Sequence, residues 1–159
     1  MSIDATSPER VIFLCTHNSA RSQMAEGMLR AWGGPRFDAS SAGTVKTELR
    51  PEAVEVMREI GIDISAHTSK AIDQLAGRDF DRLVTVCDEA RESCPTLPGV
   101  TAQQHWQIDD PSAVRETAEK RMAAFRRARD ELAERVRALV AGSPAEGKTP
   151  ARSRAEPAS

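Results

Sequence analysis

The strongest constraint on how this chain folds is the run Val11-Ile12-Phe13-Leu14 followed at once by Cys15-Thr16-His17-Asn18-Ser19-Ala20-Arg21. A short apolar run of this kind suits a fully buried strand. Ser22-Gln23-Met24-Ala25-Glu26 then begins a helical pattern that stops at Gly33-Gly34-Pro35. Strand, tight loop and helix in that order build an oxyanion cradle. Backbone N–H groups of the loop converge, and the helix N-terminus adds the positive end of its dipole. Asn18 is a residue type that tolerates the left-handed backbone such a loop needs.

A thiol at the mouth of a cradle is a nucleophile only when ionised. A free cysteine is roughly 3% thiolate at pH 7. Lowering its pKa by two units requires roughly 2.7 kcal/mol of differential stabilisation. The loop N–H groups, the first helical turn and the Ser22 hydroxyl are placed to supply it. Arg21 adds a permanent charge on a planar fork that matches two oxygens of a tetrahedral oxyanion. Cys15 is therefore the expected nucleophile, with Thr16, His17, Asn18, Ser19, Ala20, Arg21 and Ser22 binding the substrate. The bland alternative, a buried cysteine ending a strand, leaves the arginine and the helix start unexplained.

Further along, strand and helix patterns alternate, which implies an α/β fold with a parallel sheet. Arg10 to Cys15 reads as the first strand, Ser22 to Trp32 as the first helix, Phe37 to Ala42 as a second strand closed by Gly43. Pro51 suits a first helical turn, with Val54, Met57, Ile60 and Gly61 at helical spacing. Arg82 to Cys87 reads as a central strand. Asp110-Pro111 reads as a cap and first turn, opening one long amphipathic helix through Ala118, Met122, Phe125, Leu132, Val136 and Leu139 to Gly142. Residues 1–142 thus form the expected single domain, and the Pro-, Ala- and Ser-rich segment 143–159 an expected disordered tail.

The net charge of −2 gives no footprint for nucleic acid, and no apolar run is long enough to span a bilayer. No basic segment followed by an apolar one opens the chain, so the expected compartment is the cytoplasm, where thiols stay reduced. There the three cysteines are expected to be chemical rather than structural. Three thiols beside an oxyanion site suggest a relay, in which one attacks substrate, a second displaces it and a third accepts the disulfide. The residues leave two other readings open. Cys87 and Cys94 are core and incidental, or they form a zinc site with His67 or His105, though no tight cysteine pair supports the latter. Asp110 reads both as a helix cap and as a general acid for a leaving oxygen, with Asp109 the weaker choice. Trp106 reads as packing near the site.

The segment from Cys15 to Ser22 resembles the phosphate loop of low-molecular-weight protein tyrosine phosphatases and of the arsenate reductases built on their fold. Gln23-Met24-Ala25-Glu26 resembles the reductase branch. The resemblance runs from about Arg10 to Gly142 and implies a four-stranded parallel sheet with helices on both faces. Cys87 and Cys94, with Pro95-Thr96-Leu97-Pro98 behind them, resemble the cysteine pair of thioredoxin-coupled members, as does His105-Trp106 before Asp109-Asp110-Pro111. It implies arsenate reduction with Cys15 as nucleophile, Cys87 then Cys94 as resolving thiols, and thioredoxin or a similar dithiol as reductant. No cofactor is implied, and the expected state is a monomer. Some members of that branch bind potassium through residues resembling Asn18, Glu26, Ser41 and a carboxylate after Thr-Ser. Here Lys70 follows Thr68-Ser69, either as an ammonium that replaces the metal charge and pairs with Glu26 or as a solvated surface lysine, and little potassium dependence is expected. The rival function is a phosphatase for phosphotyrosine or small phosphomonoesters, using Cys15, Arg21 and Asp110 alone. The absence of tyrosine and the 4% aromatic content give it little with which to clamp a phenyl ring. A third class, an oxyanion or redox sensor signalling through its disulfide, would use the same thiols without turnover.

Overall fold

A computed structural model describes residues 8–18, 20–44, 47–75, 77–86 and 99–142. Four strands, β1 (Glu9–Cys15), β2 (Phe37–Gly43), β3 (Arg82–Thr85) and β4 (Ala102–His105), form a sheet of order β2-β1-β3-β4. Every pairing is parallel. The α/β reading holds. β1 is an inner strand, and Val11, Ile12, Phe13 and Leu14 are all fully buried. That is why its sequence is a continuous apolar run rather than an alternation.

Helix α1 (Arg21–Gly33) connects β1 to β2. Helix α2 (Pro51–Arg58) follows β2, with Pro51 at its start. Ala53, Val56 and Met57 face the core, whereas Ile60 is 37% exposed. The helical spacing read through Ile60 overruns the helix because Gly61, at φ 82°, turns the chain. Gly61 N–H then bonds the Arg58 carbonyl at 2.9 Å and Ile62 N–H the Met57 carbonyl at 3.0 Å, a left-handed glycine closure.

The long helix differs more from the sequence reading. Pro111–Ala113 is a single 3-10 turn, ended by Val114 in extended conformation. Helix α3 (Ala118–Val140) starts afresh behind Thr117, whose hydroxyl accepts from Lys120 N–H at 3.0 Å. Asp110 caps the short turn, accepting from Ser112 N–H at 2.9 Å. Two caps in series break what the apolar spacing presents as one element.

Helix α3 packs its Phe125, Leu132 and Val136 into the core, all fully buried. It is tied to the end of α2 by Glu59, which accepts from Arg126 Nη2 and Arg129 Nη1, each at 2.8 Å. Those bonds hold the Glu59 carboxyl down to about 2. Its unfolded value is about 4.3, so the stabilisation is complete above that pH and is lost as pH falls through about 2. Glu59→Gln is expected to lower Tm at neutral pH, with the gap to the unmodified protein closing in acid. Thermal unfolding across that range, repeated at high salt, checks both the sign and the screening of an exposed pair.

Among the described residues, no helix is long and apolar enough to cross a membrane.

Candidate active site

Cys15 ends β1, is 4% exposed, and lies in register with Gly43 at the end of β2. The loop leaves the sheet there and closes at Arg21, the first residue of α1. Ala20, which precedes the helix, has no side-chain acceptor. Ala20 thus leaves the first-turn N–H groups uncapped from its own side chain, and a helix N-terminus of that kind suits an anion. Thr16 is half-buried and His17 exposed; Ser19 lies outside the described residues.

Gly43 permits the close approach of β2 to the loop. A Cβ there would stand 2.6 Å from the Thr16 carbonyl oxygen and 2.8 Å from both Asn18 N and His17 C. These are backbone atoms, so no side chain can swing aside.

Asn18 adopts φ 52°, the only positive φ of a non-glycine residue among those described. Buried bonds stabilise it. Its Nδ2 donates to Ser22 Oγ and Ser41 Oγ, both at 2.9 Å. Its Oδ1 accepts from Lys70 N–H at 2.7 Å and Gln23 Nε2 at 3.0 Å. Since Ser22 Oγ accepts from Asn18, its own proton is not used in that bond. Gln23 Nε2 also donates to the Asn18 and Thr68 carbonyls, so Gln23 Oε1 is left to accept from His67 Nδ1, 3.0 Å away. Burial pushes the His67 pKa down, which favours the neutral ring with its proton on Nδ1. The sequence brings Ser41 to Asn18 only through the resemblance to a potassium site, and it carries no signal that Gln23 and His67 hold the loop, because no local period links them to Asn18.

The Arg21 guanidinium is anchored from behind. Its Nη1 donates to the Ile108 carbonyl at 2.8 Å and to the Val86 carbonyl at 3.4 Å. Nε and Nη2 form the other edge of the fork, and Nη2 stands 3.8 Å from Asp110 Oδ2. Asp110 is 42% exposed and also takes Ser112 Oγ at 2.7 Å. Cap and facing carboxylate thus coexist in one residue. Trp106 is buried with its ring 5.6 Å from that of Phe13, a packing role. Cys87 and Cys94 lie outside the described residues.

The family model described as low molecular weight phosphotyrosine protein phosphatase matches residues 10–149. The chain belongs to that family. An arsenate reductase of Halalkalibacterium halodurans is 45% identical over 130 residues, which cover 82% of this chain and 94% of the relative. A solved structure of an arsenate reductase in the oxidized state superposes with a TM-score of 0.72 at 31% identity, covering 84% of this chain and 98% of that one. A thioredoxin-dependent arsenate reductase of Corynebacterium glutamicum gives a TM-score of 0.67 at 26% identity, covering 87% of this chain and 63% of that one. The low molecular weight phosphatase fold expected from the loop is the fold found.

Beside this phosphatase-family loop, Glu26 is 3% exposed and accepts from Ser41 Oγ at 2.5 Å. Its counterion is Arg30, one helical turn on, at 2.7 Å. The pairing with Lys70 expected from the sequence is replaced, because i,i+4 spacing on α1 brings Arg30 directly over Glu26. Lys70 Nζ donates to the Thr68 carbonyl at 3.0 Å. Burial pushes the Lys70 pKa down, while the field of Glu26 opposes that shift. Arg30 thus supplies the positive charge that balances the Glu26 carboxylate in this pocket. Among the described residues, no group of three or more His, Cys, Asp or Glu side chains is placed to share a metal. His67 holds Gln23, and His105 Nδ1 contacts Thr85 Oγ1 at 2.7 Å.

Proposed function

We propose that this protein reduces arsenate to arsenite through a three-cysteine relay regenerated by a dithiol reductant of the thioredoxin class. What most supports this reading is the kinship with arsenate reductases along nearly the whole of their length, joined to a cradle that presents Cys15 and Arg21 to a tetrahedral oxyanion.

Arsenate binds against the loop N–H groups and the Arg21 fork. The Cys15 thiolate attacks arsenic, and a hydroxyl leaves as water after taking a proton from Asp110. An S–As bond now holds the adduct. The Cys87 thiolate attacks Cys15 Sγ, so that an S–S bond forms and the S–As bond breaks. The bonding pair stays on arsenic, which departs as arsenite. Cys94 then attacks the Cys87 sulfur, freeing Cys15 as thiolate and leaving a Cys87–Cys94 disulfide. The external dithiol reduces that bond and is itself oxidised. Phosphorus does not accept an electron pair in this way, so phosphate occupies the cradle without turnover.

The test is to expose the reduced protein to arsenate without reductant and map its disulfides by mass spectrometry. A Cys87–Cys94 bond with one equivalent of arsenite is expected; three free thiols would overturn the relay. A phosphomonoesterase needs neither thiol and would keep full turnover with both Cys87→Ser and Cys94→Ser in place.

A further inference from the structure

The carbonyls of three consecutive loop residues are held from outside the cradle. Thr44 Oγ1 donates to the Thr16 carbonyl at 3.3 Å, and Gln23 Nε2 to that of Asn18 at 3.1 Å. The middle one, on His17, takes two donors. They are Ser69 Oγ at 3.0 Å and Thr47 Oγ1 at 3.1 Å. The two donors also touch each other, since Thr47 N–H bonds Ser69 Oγ at 2.9 Å. Thr47 lies between β2 and α2 and Ser69 between α2 and β3, so two separate loops close on one peptide oxygen. Ser69 is 5% exposed, whereas Thr47 lies at the surface.

No cis peptide occurs among the described residues. In a trans peptide the C=O and the next N–H point in opposite directions. Drawing the His17 carbonyl outward therefore turns the Asn18 N–H to the inner side of the loop. It also polarises that peptide, which makes its N–H a stronger donor. Asn18 in the left-handed region supplies the alternation of backbone conformations from which anion-binding concavities are made.

We propose that Ser69 and Thr47 are positioning residues of the cradle. Their paired hydroxyls lock the His17–Asn18 peptide with its N–H toward the bound oxyanion and thereby set oxyanion affinity. They act through the peptide and not on the oxyanion. The proposal rests on residues 15–21 being an oxyanion cradle, and not on the fate of arsenic.

The test uses the reduced full-length chain with inorganic phosphate as probe, read as protection of Cys15 from alkylation. Thr47→Val and Ser69→Ala are each expected to weaken phosphate protection about fivefold, the effect of one lost hydrogen bond. Thr47→Ser, which keeps the hydroxyl, restores it. The pH profile of Cys15 alkylation shifts upward in the two weakened variants, because the same N–H groups stabilise the thiolate. For arsenate, KM rises more than kcat falls, the pattern of lost uniform binding. Unchanged phosphate affinity and an unchanged alkylation profile in both variants, even with a lower Tm, would overturn the proposal and leave the hydroxyls a structural role only. Should Ser69→Ala fail to fold, the exposed Thr47→Val decides alone. Weakened phosphate binding in a protein that never reduces arsenate would uphold this proposal while sinking the reductase reading.

Discussion

Gly43→Ala is expected to lower kcat/KM for arsenate by about 100-fold, the scale of a loop misplaced by an ångström. The added methyl would meet the Thr16 oxygen at 2.6 Å and two more backbone atoms at 2.8 Å. Neither side can yield easily. Gly43 N–H is bound to the Lys70 carbonyl at 2.7 Å, and Thr44 N–H to the Cys15 carbonyl at 3.2 Å. The loop faces the same restraint from Asn18, whose amide is fixed by Ser22, Ser41, Gln23 and Lys70. Overpacking of this kind costs about 1–3 kcal/mol, so the variant is expected to fold with a displaced cradle. Kinetics, phosphate protection of Cys15 and Tm measured together separate the two effects. Phosphate affinity equal to that of the unmodified protein would show that the loop tolerates the methyl.

Arg21→Lys is expected to be more damaging, lowering kcat/KM by about 1000-fold, although the charge is kept. The guanidinium does two jobs at once. Nη1 holds the Ile108 and Val86 carbonyls, and the opposite edge offers a second pair of donors. A lysine ammonium is one point charge on a flexible stem and cannot present two parallel donors while bridging two carbonyls behind it. The anchoring matters for a further reason, since Ile108 precedes Asp110 by two residues and Val86 directly precedes Cys87. Losing the anchor loosens the segments that carry the proposed acid and the first resolving thiol. A lysine variant within about tenfold of the original kcat/KM would show that charge alone suffices.

Much of the architecture was legible before any coordinates. The buried run of β1, the loop, the start of α1 and its stop at Gly33-Gly34-Pro35 are local patterns, and each appears where the spacing puts it to within a residue or two. β4 carried no such signal. Ala102-Gln103-Gln104-His105 is an edge strand with little apolar content, held by pairing to β3 rather than by a buried face. The break between Asp110 and Thr117 was masked for the opposite reason. Apolar spacing continued across it, while hydroxyl and carboxylate caps set the actual helix start. Arg30 is legible from its four-residue spacing to Glu26, a local helical pattern.

The sequence by itself determined the chemistry on offer in the loop: a thiol, an arginine and a helix N-terminus in an order that short-range sterics and backbone dipoles make into a candidate anion site. The tertiary structure alone decided how that loop is kept in shape. Gly43, Ser41, Thr47, His67 and Ser69 reach it from other segments, and Gln23 from the helix that follows it, through contacts that follow no period along the chain. Hydrogen bonds between distant loops depend on where the sheet and helices place those loops, and that placement is a property of the whole packed core.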